Sequence, residues 1–206
     1  MWSKSNLSNY VSDKIFCGFD IPVGEGVYKP TWFTAEFIEL IASNYTSDAV
    51  AVDMGSGSCN QSIVFASRVK NAKVYAVEPN PIAYEYTLAN STLFDLAPSQ
   101  IIPLNIYAKD ASNIITEPVD VVFSNPPCVP TNKQVGNSPL DYAIYGGVDG
   151  FDVIREIIDA SAKLLKPKGA LYLALSHTNK NIYDLFDDSW GAVEFVLPYR
   201  IRVVRK

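Results

Sequence analysis

Histidine and cysteine, the side chains that most often hold transition metals, are scarce in this sequence. The 206 residues contain one histidine, His177, and three cysteines, Cys17, Cys59 and Cys128. These residues are too far apart in the chain to form the closely spaced His/Cys set of a zinc site, so the sequence predicts no metal centre. Widely separated cysteines are also typical of reduced thiols, and we therefore expect a cytoplasmic protein.

Positive charge and long apolar runs are lacking as well. The 17 Lys and Arg residues are outnumbered by 22 Asp and Glu residues, which gives a net charge of -5. A nucleic-acid-binding surface needs clustered positive charge, so nucleic acid is disfavoured as a partner. No apolar run approaches the roughly 20 residues that span a bilayer, and the first residues lack the apolar core of a signal peptide. We expect no membrane association.

Strand and helix patterns alternate from residue 35 onward. Apolar segments typical of strands are DAVAVDMG, AKVYAVEPN, IIPLNIY, PVDVVFSN and ALYLALSH, and the segments between them have helical spacing. Such alternation predicts an α/β fold, a mostly parallel seven-stranded sheet with helices on both faces. The last segment, GAVEFVLPYRIRVVRK, predicts a C-terminal antiparallel hairpin around Pro198.

Several local signals refine this prediction. Thr34 is placed to cap the first helix, and Pro167 with Gly169 would end the last one. Pro103 lies inside a strand pattern, which indicates a sheet edge because proline cannot donate a ladder hydrogen bond. The terminal basic residues, in YRIRVVRK, are typical of a solvated strand face.

The chain divides into two parts. Residues 1–33 are rich in aromatic residues and glycine, and we interpret them as an arm or flap over the cofactor face; an arm packed on the sheet fits equally well. Residues 34–206 would form one domain, since this length suits a single core. The long segment 131–150 is typical of a loop that is either functional or disordered.

A glycine-containing turn follows the first predicted strand. Gly55 and Gly57 permit positive φ and a close approach of the backbone to a ligand. Glu78 ends the next strand, where a carboxylate is placed to accept both hydroxyls of a ribose. Together these residues indicate a nucleoside-containing cofactor. Asp53, directly before the glycines, would add a carboxylate near a cationic amine.

The stretch VDMGSGS resembles the D-x-G-x-G motif of class I S-adenosylmethionine-dependent methyltransferases. The resemblance implies the Rossmann-like sandwich of that class, with S-adenosylmethionine as the cofactor. The residues that it implies for cofactor binding are Asp53, Gly55, Gly57, Glu78, Asp110, Ala111 and Asn125.

The stretch SNPPCVP follows a predicted buried strand and resembles the N-P-P-aromatic motif of class I enzymes that methylate a planar nitrogen. The side-chain oxygen of Asn125 and the carbonyl of Pro126 can accept the two hydrogens of an amide or aryl amine together. This orients the nitrogen towards the methyl donor, and the proline rings keep both acceptors rigid. Asn125 and Pro126 are therefore the predicted catalytic pair.

The same family resemblance extends over roughly residues 24–177. The segments GVYKPTWFTAEFIELI and YGGVDGFDVIREIIDASAKLLKPKGALYLALSH are similar to segments of the release-factor (protein N5-glutamine) methyltransferases. This implies methylation of a protein glutamine, and a length close to members that act with a small activator subunit; a homodimer is the alternative. The predicted substrate-binding residues are Tyr28, Pro127, Cys128, Tyr142 and Tyr145.

The sequence also departs from this family. Cys128 stands where the family has an aromatic residue, the segment KPTWFT lacks the usual acidic residues, and Cys59 and Asn60 replace small residues. Two alternatives therefore stay open. One is an enzyme that uses S-adenosylmethionine on a small molecule or amino acid, including cyclisation of its aminobutyl chain. The other is a catalytically degenerate domain that binds the cofactor or a partner.

Overall fold

The computed structural model describes residues 15–96, 100–132, 138–179 and 181–206. Residues 1–14 of the predicted arm and residues 133–137 of the predicted loop lie outside this range. The described part begins with a short antiparallel hairpin, β1 (Ile15–Phe16) and β2 (Phe19–Asp20). Cys17 and Gly18 turn the hairpin at positive φ angles of 51° and 92°.

The first half of the domain alternates helices and strands as the sequence predicts. Its elements are α1 (Trp32–Ser43), β3 (Val50–Met54), α2 (Asn60–Arg68), β4 (Lys73–Val77), α3 (Pro81–Asn90) and β5 (Ile101–Leu104). Asn80 caps α3 by accepting a hydrogen bond from the Ile82 amide at 3.0 Å, and Pro81 occupies the first helical turn.

The second half continues the pattern with shorter helices. A 3₁₀ turn (Ala108–Asp110) precedes the remaining elements, which are α4 (Ala111–Ile114), β6 (Val119–Ser124), α5 (Asp141–Ile144), α6 (Asp152–Leu164), β7 (Leu165–Ala174), a 3₁₀ turn (Ile182–Leu185), β8 (Glu194–Leu197) and β9 (Arg200–Val204).

The seven-stranded sheet has the order β5-β4-β3-β6-β7-β9-β8. Strands β5, β4, β3, β6 and β7 pair in parallel, and β9 pairs antiparallel with both β7 and β8. The predicted mostly parallel sheet with a C-terminal hairpin is therefore confirmed. So is the sheet edge at Pro103, because β5 is the outermost strand.

Both faces of the sheet are covered, by two separate apolar layers. One layer packs α1 and α2 on the sheet through residues such as Phe37, Ile38 and Phe65. The other packs α6 through residues such as Ile154 and Ile157. In the sheet, β4 and β5 lie on one side of β3, and β6 lies on its other side. The carboxyl ends of β3 and β6 therefore flank the topological switch point, where open α/β sheets bind ligands.

Two helix boundaries differ from the sequence prediction. Helix α1 begins at Trp32 with Thr31 at the N-cap, so Thr34 lies in the first turn and does not cap the helix. Helix α6 ends at Leu164 rather than at Pro167, because Leu165 already pairs with Val119 of β6. The register of this strand pair then shifts, which accommodates the residues around Pro167 within β7.

The expectation of a solvated strand face at the C-terminus is wrong for Arg200 in β9, which is only 1% exposed. Arg202, two residues later in the same strand, has a side chain that is 33% exposed. Strand β9 lies between β7 and β8. The buried Arg200 guanidinium is compensated by an ion pair with Glu36 at 2.9 Å. Among the described residues, no helix has the length and apolar character that crossing a membrane requires.

Candidate active site

A cavity of about 700 Å³ opens at the carboxyl ends of β3, β4 and β6. The loops that follow these three strands form much of its wall, with contributions from residues 26–31 and from α6. It therefore lies at the switch point of the sheet. Of the predicted site residues, it brings together Tyr28, Gly55, Gly57, Glu78, Asn125, Pro126, Pro127, Cys128 and Tyr142.

The glycine turn after β3 forms one side of this cavity. Gly55 and Gly57 have φ angles of 82° and 59°, which explains the preference for glycine at both positions. A Cβ atom at either glycine would meet no atom within 4 Å, so both face open space. A ligand can therefore approach the backbone of this turn closely.

Glu78 connects the glycine turn with the loop after β4. Its Oε2 accepts a hydrogen bond from the Gly57 amide at 2.8 Å, and its Oε1 accepts one from the Asn80 amide at 2.9 Å. The residue is 7% exposed, and burial raises the pKa of its carboxyl group, against the opposing effect of the two amide donors. Each carboxylate oxygen keeps a second lone pair for a ligand hydroxyl.

Asp53 lies beneath the glycine turn and does not line the cavity. Its side chain is on the same face of β3 as Ala51, and Oδ2 accepts a hydrogen bond from the Ser62 hydroxyl at 2.7 Å. Burial raises the pKa of Asp53 to about 7, partly offset by the Ser62 hydrogen bond. The next residue, Met54, lines the cavity instead, and Asp53 Oδ1 has no hydrogen-bond partner among the described residues.

Asp110 and Ala111 are also outside the cavity wall. Ala111 is fully buried in the apolar layer under α6. The residues of this turn that do line the cavity are Tyr107 and Ala108, two or more positions earlier. Asp110 is the last residue of this 3₁₀ turn.

Asn60 and Gln61, at the start of α2, line the cavity although the sequence did not single them out as binding residues. Each is 5% exposed, and Asn60 Oδ1 and Gln61 Oε1 have no hydrogen-bond partner. A buried polar atom without a partner is costly, so both oxygens are candidates to accept a hydrogen bond from a ligand. One sequence signal could have identified these two residues as binding residues. They are a pair of amide side chains at the start of a helix that is expected to be buried.

Asn125 lies directly after β6 and faces the same cavity. Its Nδ2 donates a hydrogen bond to Thr34 Oγ1 at 3.3 Å. The preceding residue, Ser124, anchors the strand end by donating to the Met54 carbonyl at 2.5 Å. Thr34 is 4% exposed and also lines the cavity. The sequence placed Thr34 at a helix cap, so its role beside Asn125 was missed.

The loop after Pro127 is held by backbone contacts. The Cys128 amide donates to the Ile144 carbonyl at 3.1 Å, and the Cys128 carbonyl accepts from Asn179 Nδ2 at 3.2 Å. Burial raises the pKa of the Cys128 thiol. The thiol is therefore protonated at neutral pH, which makes it an apolar wall group and a poor nucleophile.

Several aromatic residues line the cavity. Tyr28 and Tyr142 line it and are 39% and 55% exposed, whereas Tyr145 does not line it. Tyr145 follows the short helix α5 and forms an isolated parallel β-bridge with Val129. Phe33, a residue that the sequence did not single out as binding, completes this aromatic wall from α1.

Comparisons with known proteins agree with this architecture. Residues 34–198 match the model of the methyltransferase small domain family. A release factor glutamine methyltransferase of Mycolicibacterium smegmatis is 30% identical over 168 residues, covering 79% of this chain and 59% of the relative. The chain thus spans less than two thirds of the length of this relative. Methyltransferase HEMK2 of Homo sapiens is 29% identical, with 76% of this chain and 77% of the relative covered.

Solved structures show the same fold. A candidate methyltransferase of Streptococcus mutans, determined in complex with S-adenosylhomocysteine, superposes with a TM-score of 0.59 at 14% identity. The alignment covers 82% of this chain and 98% of that one. The chain therefore belongs to the methyltransferase small domain family of class I S-adenosylmethionine-dependent methyltransferases.

Proposed function

We propose that this protein transfers a methyl group from S-adenosylmethionine to an amide or amine nitrogen, with the side chain of a protein glutamine as the nearest analogue. The observation that carries the proposal is the position of Asn125. Its side chain is fixed by Thr34 in the cavity that also contains the glycine turn and Glu78. An acceptor bound at Asn125 would therefore lie beside the cofactor site.

The residues of the cavity fit this cofactor. Gly55 and Gly57 leave the backbone open to a ligand, and Glu78 presents a carboxylate for the ribose hydroxyls. Gln61, with its unpartnered oxygen at the start of α2, suits the polar methionine end. The amide N–H groups of a helix N-terminus favour a carboxylate there. When bound, S-adenosylmethionine supplies an electrophilic methyl group on a positively charged sulfonium.

The protein orients and polarises the acceptor. Because Asn125 Nδ2 donates to Thr34, Asn125 Oδ1 is left to accept one N–H of a planar nitrogen group. The Pro126 carbonyl would accept the second N–H. The two acceptors together increase the negative charge on the nitrogen as it reacts, which stabilises the transition state. The rigid proline pair limits the entropy lost on binding.

The relatives support a protein glutamine as the acceptor. Release factor glutamine methyltransferases of Mycolicibacterium smegmatis and Bifidobacterium longum are 30% and 31% identical to this chain. These relatives are named for glutamine methylation, which is the reaction that we propose here. The uncharged thiol of Cys128 adds no nucleophile, so direct transfer to the nitrogen is the simplest chemistry for this cavity.

The proposal is tested by calorimetric titration with S-adenosylmethionine and S-adenosylhomocysteine, followed by mass spectrometry of the products. We expect binding at micromolar affinity, and S-adenosylhomocysteine should form when glutamine-containing peptides are supplied. Formation of methylthioadenosine instead would show that the aminobutyl chain is the group used. Absence of binding to both ligands would contradict the proposed cofactor.

A further inference from the structure

Phe33 lines the cavity that contains the proposed acceptor position. It lines the cavity from the first turn of α1 and directly precedes Thr34, whose hydroxyl accepts the hydrogen bond from Asn125. Cys128, in the loop after the two prolines, lines the same cavity without a ring. The aromatic ring that directly precedes Thr34 in the sequence therefore belongs to α1, whereas the loop after the two prolines has Cys128 instead of an aromatic residue.

A buried arginine holds this ring in place. The guanidinium carbon of Arg200 is 3.6 Å from the centre of the Phe33 ring. Arg200 Nη2 also donates to the Phe33 carbonyl at 2.9 Å and pairs with Glu36 at 2.9 Å. The ring, its own backbone and the next helical turn are thus all fixed by one side chain. The guanidinium occupies one face of the ring, and Phe33 also lines the cavity.

The charge behind the ring also selects what can stack on it. An aromatic face attracts one cation through its quadrupole. Arg200, paired with Glu36, already makes this contact with Phe33 at 3.6 Å, so the ring attracts a second cation less strongly. Stacking of a neutral planar group does not depend on this attraction. The arrangement therefore favours an uncharged amide over a protonated amine as the group beside Phe33.

We propose that Phe33 is a specificity-determining residue on which a neutral planar amide stacks, and that Arg200 is the positioning residue that fixes the ring. This inference rests on the proposed function and narrows its acceptor from amide or amine to amide. It also explains why Cys128 is tolerated in the loop after Pro127, because the stacking surface is supplied from α1.

The test uses two blocked tripeptides, acetyl-Ala-Gln-Ala-amide and acetyl-Ala-Lys-Ala-amide, titrated by NMR into the whole protein saturated with S-adenosylhomocysteine. The wild-type protein should bind the glutamine peptide more tightly than the lysine peptide. The glutamine methylene protons should shift upfield, as expected for protons over an aromatic ring. Phe33→Leu should weaken binding of the glutamine peptide about 5- to 10-fold and remove the upfield shift.

Matched variants separate stacking from stability. Phe33→Tyr keeps the ring and should bind the glutamine peptide within about twofold of wild type. Arg200→Met should reduce the upfield shift of the glutamine methylene protons even though Phe33 is still present. A loss of protein stability alone would not produce this change. Cys128→Tyr added to Phe33→Leu should restore part of the affinity. Phe33→Met, of similar volume, replaces Phe33→Leu if the latter no longer binds S-adenosylhomocysteine.

Two outcomes would overturn the inference in distinguishable ways. Equal binding of the glutamine peptide by wild type and Phe33→Leu, both binding S-adenosylhomocysteine normally, would refute the role of Phe33 and leave the proposed function intact. Tighter binding of the lysine peptide would refute the preference for an amide. A wild-type protein that binds S-adenosylhomocysteine but neither peptide would contradict the proposed acceptor itself.

Discussion

Asn125 and Thr34 are joined through their side chains, with Asn125 Nδ2 3.3 Å from Thr34 Oγ1. Asn125 follows β6, and Thr34 belongs to α1, so the contact links two layers of the fold. With Nδ2 engaged, the amide oxygen of Asn125 is the atom left for an acceptor. The first predictions concern these two residues.

Replacing Asn125 by Ala should abolish most methyl transfer and leave cofactor binding intact. Loss of one preorganised hydrogen-bonding group at a reacting centre costs about 10²- to 10³-fold in kcat. Methyl incorporation from labelled S-adenosylmethionine into glutamine peptides measures the rate, and calorimetry measures S-adenosylhomocysteine affinity. Asn44→Ala, at the exposed end of α1, is the control. Unchanged turnover in Asn125→Ala would contradict the catalytic role.

Replacing Thr34 by Val should lower kcat because Asn125 loses its hydrogen-bond partner. The affinity for the cofactor should not change. Valine has the same shape but accepts no hydrogen bond, so the Asn125 amide would lose its fixed orientation. We expect about a fivefold lower kcat, in line with about 1 kcal/mol for one hydrogen bond. Thr34→Ser keeps the hydroxyl and should restore the rate. If Ser and Val variants behave alike, the hydroxyl has no positioning role.

The buried Asp53 should make stability depend on pH. Its pKa is about 7 in the folded protein against an ordinary value of 3.8. Between these values the folded protein keeps a proton that the unfolded chain has released, so the free energy of unfolding falls as pH rises from about 4 to 7. The loss is at most about 4 kcal/mol. Glu78, whose pKa is also raised by burial, acts in the same direction.

Asp53→Asn removes this contribution. The variant should be more stable than wild type at pH 8, with a smaller difference at pH 5, as measured by urea unfolding at both values. Its affinity for S-adenosylhomocysteine should stay near that of wild type, because Asp53 does not line the cavity. A loss of affinity above tenfold would instead support the direct cofactor contact that the sequence motif implies.

Gln61 should recognise the amino-acid end of the cofactor. Its unpartnered oxygen lies at the start of α2, and pairing a buried polar atom on binding is worth about 1–3 kcal/mol. Gln61→Leu should therefore weaken S-adenosylhomocysteine about tenfold and leave methylthioadenosine, which lacks the amino acid, unaffected. Competition binding with both ligands makes the comparison. A parallel loss for both would indicate a general packing defect.

The sequence predicted the fold well because its signals are local. Alternating helical and strand patterns identified the parallel sheet, and Pro103 identified the edge strand. The helix end at Leu164 was missed because Leu165 is held by pairing with Val119, a contact between distant segments. Pro167 and Gly169 are breakers by local propensity, and the strand accommodates them through a register shift.

The candidate site was predicted in part. Residues fixed by backbone geometry, such as Gly55, Gly57 and Asn125, do line the cavity. Asp53 does not, because strand residues alternate between faces and Asp53 shares the face of Ala51. Thr34 and Phe33 were missed because their importance depends on contacts with residues far along the chain. Neither the Asn125 hydrogen bond nor the Arg200 stacking has a local sequence signal.

The contact between Arg200 and the Phe33 carbonyl joins residues 167 positions apart. During synthesis, the segment around Phe33 leaves the ribosome long before Arg200 has been added. The cavity wall at α1 therefore remains unfinished in the nascent chain until β9 is made and has paired with β7 and β8. A chain that ends before Arg200 because of a premature stop codon would keep the glycine turn and Glu78. It would lack the guanidinium that contacts the ring and the carbonyl of Phe33.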